Sequence, residues 1–229
     1  MNEVRQFLRY VTPGLAFVIE TVLVLWCFNP SWTEQHVFMA MDMGFGNAAT
    51  LFVASGGVGY FLSVVHHQWH WCRSSSPIDF RPLVQRLRDA NLVDLQPPRA
   101  LTREEAWIVV TALWSEDRGD ENFRLSASAH DRNSSMNDLF HSVGAARAGA
   151  VLAPFVAGII ASRVSGFSHA IWDIVRFSLG LVAAFGVAFV FHETCKRTGR
   201  MTQQFIAEIM VDALSKSRSV PVITHVENG

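Results

Sequence analysis

The chain has 229 residues and a mass of 25.5 kDa; 50% of the residues are hydrophobic, 17% are charged and the mean hydropathy is +0.21. A soluble domain carries about 25% charged residues, so this composition excludes a disordered or collagenous chain, and three cysteines cannot frame a disulfide scaffold. A net charge of −1 and a pI near 6.7 argue against a nucleic-acid binder working through bulk charge.

Four apolar stretches follow in chain order. The first is Tyr10 to Phe28, the second Gly46 to Val65, the third Ala148 to Ser162 and the fourth Ile174 to Phe191. A helix needs about 20 apolar residues to cross a bilayer core. The first two meet that length. The third has 15 residues between Arg147 and Arg163, and spans when both arginines snorkel outward. The first stretch is too long for a signal peptide, contains Glu20 and lacks a small-residue cleavage site.

Basic residues orient the spans. Segments 29–45 and 164–175 have no lysine or arginine, whereas 67–142 holds nine arginines and the tail holds Lys196, Arg197, Arg200, Lys216 and Arg218. The positive-inside rule then puts both termini and the middle segment in the cytoplasm of a multi-pass inner (plasma) membrane protein. Cys72 and Cys195 are expected as free thiols on that side. Trp32, Phe38, Phe45, Phe167 and Trp172 suit an interfacial belt in the outer loops.

The segment 67–142 is the sizeable polar part, punctuated by Ser-Ser-Ser-Pro at 74–77 and Gln-Pro-Pro-Arg at 96–99. Between these, 80–95 is predicted as an amphipathic helix with Leu83, Val84 and Leu87 on one face. Thr102 with Glu105 is a capping box that opens a helix to about Trp114. Residues 115–121 form a polar turn. Met136, Leu139, Phe140 and Val143 follow helical spacing, and this helix is expected to run straight into the third span, which Pro154 should bend. In the tail, Met201, Phe205, Ile206, Ile209, Ala213 and Leu214 make an apolar stripe, and 219–229 reads as an extended terminus.

Among residues that carry chemistry, Glu20 stands first. It lies ten positions beyond Tyr10, about 15 Å deep at 1.5 Å per residue and near the bilayer midplane. An ionisable group there is an ion- or proton-site candidate; the alternative is a protonated acid bonded across helices to Thr21, Thr50, Ser55 or Ser178. His66 and His70 share a helix face at metal-ligand spacing, beside His67, with His130 and His141 later in the chain. In this HxxxH alone the chain resembles membrane di-iron desaturases and hydroxylases, which also have four spans and cytoplasmic histidine boxes; it has no HxxHH. The other reading is an interfacial anchor of His66, His67, Trp69, His70 and Trp71. Gly56, Gly57 and Gly59 in the second span, Gly144 with Ala148 in the third and Gly180 with Ala184 in the fourth are small residues that let helices approach closely, within or between subunits. No phosphate-loop, dinucleotide or nucleophile-elbow motif occurs, and the Ser134, Ser135, Asp138 and His141 group reads as helix capping.

The expectation is an all-α integral membrane protein: four transmembrane helices and a small helical cytoplasmic module built from 67–142 and the C-terminal helix. Its parts are a first hairpin 8–66, the segment 67–142, a second hairpin 143–193 and a tail 194–229. This architecture is similar to that of small bacterial membrane sensors and effectors of antiphage defence. The function expected is a non-enzymatic, cofactor-free homo-oligomer that meets a cytoplasmic protein partner through 67–142 and 201–216, without direct nucleic-acid contact. The alternatives are an ion or proton channel or transporter using Glu20, and then a histidine-ligated metalloenzyme.

Overall fold

The computed structural model describes residues 2–38, 45–72, 78–93, 100–116, 127–164 and 171–219, all helical or in connections between helices. Four of its helices contain stretches long and apolar enough to cross a membrane: Phe7–Phe28, Gly46–Trp69, Ala129–Arg163 and Ile174–Ser215. Several expectations fall outside the described residues: the two Pro-containing breaks, the turn at 117–121, Phe167, the terminus from 220, and the side chains of Phe45, His70, Trp71 and Cys72.

The helices are α1 (Asn2–Phe28), α2 (Pro30–Thr33), α3 (Phe45–Cys72), α4 (Arg81–Asp89), α5 (Arg103–Glu116), α6 (Ala127–Val164) and α7 (Ile171–Ser219), with a π-helical turn, Glu34–Phe38, after α2. They fall into two compact units. The first comprises Met1–Ser75 and Asn137–Thr198, the second Ser76–Met136 and Gly199–Gly229. Both α6 and α7 contribute to each unit. At 1.5 Å per residue, the 38 residues of α6 and 49 of α7 extend about 57 and 74 Å.

In the first unit α1 and α3 cross at glycine. A Cβ on Gly14 would lie 1.8 Å from the Ser55 carbonyl oxygen, and one on Gly59 would lie 1.6 Å from that of Tyr10. The two backbones touch there, so any larger residue would force the helices apart. A second contact is apolar: Val24 and Leu25 of α1 pack with Ala157 and Ala161 of α6 and Ala184 of α7. A third joins Leu62 of α3 to Ala145 and Ala148 of α6, with Phe17 and Leu152 beside them. Ala145, Ala148, Ala157 and Ala161 of α6 are thus spent inside the unit, while Gly158 faces open space. Outward-facing positions of these helices are apolar, among them Val53, Phe61, Phe155, Leu179, Val182 and Phe189.

In the second unit α4 buries Leu83, Val84 and Leu87, the face expected from the spacing. It stops at Asp89, earlier than the apolar pattern suggests, because Asn91 takes a left-handed φ of 53° and turns the Leu92 N–H back to the Leu87 carbonyl at 2.8 Å. The capping box closes in both directions. Thr102 N–H donates to Glu105 Oε2 at 2.8 Å and Glu105 N–H to Thr102 Oγ1 at 3.2 Å. On α7 the buried face is Thr202, Ile206 and Met210, while Met201 is exposed; the tail helix is thus the end of α7 itself. Gln203 fastens the segment before α4. Its Oε1 accepts from the Asp79 N–H at 3.2 Å, and its Nε2 donates to the Asp79 carbonyl.

Candidate functional site

Two polar sites lie in the first unit. The first is built where the C-terminal part of α3 meets the middle of α6. On α6, Phe140, Gly144 and Arg147 share one face, at spacings of four and three. Gly144 leaves a notch between the two larger side chains, and the His66 ring of α3 fills it: a Cβ at 144 would lie 2.1 Å from His66 Nε2. Phe140 meets the same ring edge-on, with centroids 5.3 Å apart. Arg147 reaches back from the other side and its Nη2 donates to His66 Nδ1 at 3.3 Å. Because arginine only donates, Nδ1 must accept, and the neutral ring carries its proton on Nε2. One α3 turn further on, Trp69 offers its ring to the Arg147 guanidinium at 5.0 Å.

His66 is 1% and Arg147 7% exposed, so the arginine expected to snorkel outward is folded inward. Arg163, at the other end of that span, is exposed. Among the described residues Arg147 has no carboxylate partner, and its Nε is buried without a hydrogen bond. His141 adds ring contacts to His66 at 6.1 Å and His67 at 6.5 Å. Nearby, Arg9 of α1 pairs with Asp138 of α6 at 3.1 Å. This layer ties three helices together at one end of the unit.

The metal reading of His66 and His70 meets this geometry at one residue only. Both His66 ring nitrogens face other groups, Arg147 at Nδ1 and the Gly144 backbone at Nε2. Among the described residues no three His, Cys, Asp or Glu side chains gather as a metal site. His130 is used elsewhere, accepting from Trp114 Nε1 at 3.2 Å.

The second is Glu20 on α1. Its Oε1 is shielded from solvent and has no hydrogen-bond partner. Two of the hydroxyls expected to hold it are committed to their own helices: Thr21 donates to the Phe17 carbonyl at 2.8 Å and Thr50 to that of Gly46 at 2.9 Å. Ser178 is exposed. Ser55 is fully buried and its Oγ also has no partner. A polar atom left unpaired in a dry interior is destabilising by about 1–3 kcal/mol.

The remaining small residues are placed as follows. A Cβ on Gly56 would lie 3.5 Å from Phe7 and Val11, one on Gly180 would lie 2.8 Å from the Cys27 side chain, and Ala148 and Ala184 are buried. Gly57 faces open space. Two residues that shape the unit escape a reading of the sequence. Gly14 follows Pro13 and looks like part of a helix start, although Tyr10 and Gly14 match Ser55 and Gly59 in their four-residue spacing. Arg147 sits in a run of glycine and alanine from 144 to 150; a helix surface that small invites a neighbouring helix, and the arginine must then share its pocket.

Comparison with protein-family models, curated proteins and solved structures finds no match to the chain.

Proposed function

We propose that the chain is a non-enzymatic, multi-pass plasma-membrane sensor or effector. It relays a change in its spans to a cytoplasmic helical module, and through that module to a protein partner. The observation that carries this reading is the continuity of α6 and α7, each of which supplies residues to both units without a break. A continuous helix transmits a shift or a rotation along its length, whereas a flexible linker would absorb it. The second unit, with nearly all its arginines outside the apolar runs, belongs in the cytoplasm in this reading.

The test uses the full chain in nanodiscs of thin dimyristoyl and thick dioleoyl phosphatidylcholine. A thickness change forces the spans to tilt or shift. Hydrogen exchange of the α4 and α5 amides should change several-fold between the two lipids. Identical protection in both would overturn the relay. Orientation is tested by single cysteines in a cysteine-free background. Ser31→Cys should react with an impermeant reagent in intact cells and Glu104→Cys should not; the native Cys195 is fully buried and would report nothing. Self-association in this reading uses the outward face of α7 around Leu179, Val182 and Phe185, because Gly144, Ala148, Gly180 and Ala184 face neighbours within the chain. Crosslinking in membranes that finds only monomer would remove it.

A second reading is supported by the unpaired Oε1 of Glu20. Glue between helices needs a partner, and an ion or proton path needs an available oxygen. In proteoliposomes, this reading requires a proton or cation flux that Glu20→Gln abolishes; equal flux in the variant and in empty liposomes would end it.

A further inference from the structure

The second unit holds an open groove of about 340 Å³ between α4 and α7. Arg86 of α4 lines one wall, and Arg200 and Gln204 of α7 line the other, above an apolar floor of Pro82 and Leu83. Arg86 has one described acidic neighbour, Glu208 at 3.4 Å, and both side chains are more than half exposed. Such a pair is weak and yields to a better anion. Arg200 is exposed and lines the groove without a described partner.

We propose that this groove binds a phosphate ester. Guanidinium groups present paired donors that match phosphate oxygens, and two of them on facing walls can hold one phosphate from both sides. The Gln204 amide adds a neutral donor. The apolar floor suits the organic part of an ester rather than a bare ion, and the volume lies within the range of small-molecule sites. The phosphate has two sources: an anionic lipid headgroup or a free phosphate ester. Position connects the groove to lipid. Arg200 comes nine positions after Phe191, the end of the fourth apolar run, and Lys196 and Arg197 lie between them. Juxtamembrane basic clusters of this kind attract anionic lipids. The site stands whether or not the spans relay a signal.

Two arms separate the sources, both with the full chain in nanodiscs. In the first, mixed phosphatidylcholine and phosphatidylglycerol are supplied and native mass spectrometry reads which lipid stays bound. In the second, glycerol 3-phosphate and phenyl phosphate are titrated calorimetrically in phosphatidylcholine alone. The variants are Arg86→Ala with Arg200→Ala, Arg200→Gln alone and, as a charge control outside the groove and the juxtamembrane cluster, Arg132→Ala. Retained phosphatidylglycerol that falls at least tenfold in the double variant, and not in the control, assigns a lipid headgroup. Binding of the soluble phosphates with the same pattern assigns a free ester. Glu208→Gln should tighten whichever binding is seen, by two- to fivefold. Circular dichroism checks folding, and if the double variant unfolds, Arg200→Gln at its exposed position decides. No binding in either arm, or losses that the control shares, overturns the proposal.

Discussion

The His66 layer and Glu20 lie in the same unit and differ in how fully a buried polar group is partnered. Arg147 is held on two sides, by the His66 ring in its glycine notch, which accepts one N–H, and by Trp69 over the guanidinium, and its Nε alone goes without a hydrogen bond. Glu20 keeps one carboxyl oxygen unpaired, while Thr21 and Thr50 donate to their own helix backbones. A polar side chain with fitted partners is a strut. One without them weakens the fold that carries it, and its presence calls for a reason beyond stability. The contrast leaves Arg147 as a packed strut and Glu20 as the candidate site, and each reading is open to measurement.

The largest effect is expected from Gly144→Ala. Its methyl would overlap the His66 ring and force it from the notch, destabilising the fold by about 3 kcal/mol; thermal unfolding in detergent should show a large fall in Tm. Gly57→Ala, in open space, should be neutral or slightly stabilising, and equal losses in both variants would mean the notch has no special part. Next comes Arg147→Ala, which leaves a cavity and strands His66 Nδ1, for a loss of about 2 kcal/mol. Arg147→Met fills the volume and should recover much of it. Glu20→Leu should act in the other direction and raise stability by about 1 kcal/mol by removing an unpaired oxygen. If it lowers Tm as far as Arg147→Ala does, Glu20 is also a strut and the contrast dissolves.

The smallest effect is expected from an ion pair in the second unit. Arg81 donates to Asp79 through Nε and Nη2, at 2.6 Å for the closer contact, and these hydrogen bonds hold the Asp79 carboxyl below its ordinary 3.8. A carboxyl lowered on folding adds stability above its unfolded pKa, and that stability is lost as pH falls through the folded value. The pair is largely exposed, so Asp79→Asn should shift Tm less than the Gly144, Arg147 and Glu20 variants, in full above about pH 4 and fading as the pH falls further. A larger shift would show that polar groups in water matter here as much as those in the spans.

Much of the helix pattern was legible because hydropathy and capping are local. The apolar runs mark the four candidate spans, and Thr102 with Glu105 marks the start of α5 through two hydrogen bonds that need only three residues of separation. Continuity was harder. The change from apolar to polar near Phe191 looks like a boundary, yet helix propensity does not depend on which solvent a side chain faces, and α7 runs on to Ser219. The inward turn of Arg147 was also hidden. Whether an arginine snorkels or folds back depends on the helix beside it, and that neighbour, α3, is about 80 positions away in sequence. Leu139 shows the same limit: it belongs to a helical apolar stripe with Phe140, but Phe140 is buried and Leu139 exposed.

The Gln203 clamp has a consequence for how the chain can vary. Its amide reads the peptide N–H and the peptide carbonyl of position 79 and ignores that residue's side chain. Every residue except proline offers the same two groups, so position 79 is free to drift as far as this joint is concerned. Position 203 has no such latitude. Glutamate there would keep the acceptor and set a second oxygen against the carbonyl, while asparagine would fall one methylene short. A saturation scan of the two positions should therefore be lopsided, permissive at the residue that is held and strict at the residue that holds it.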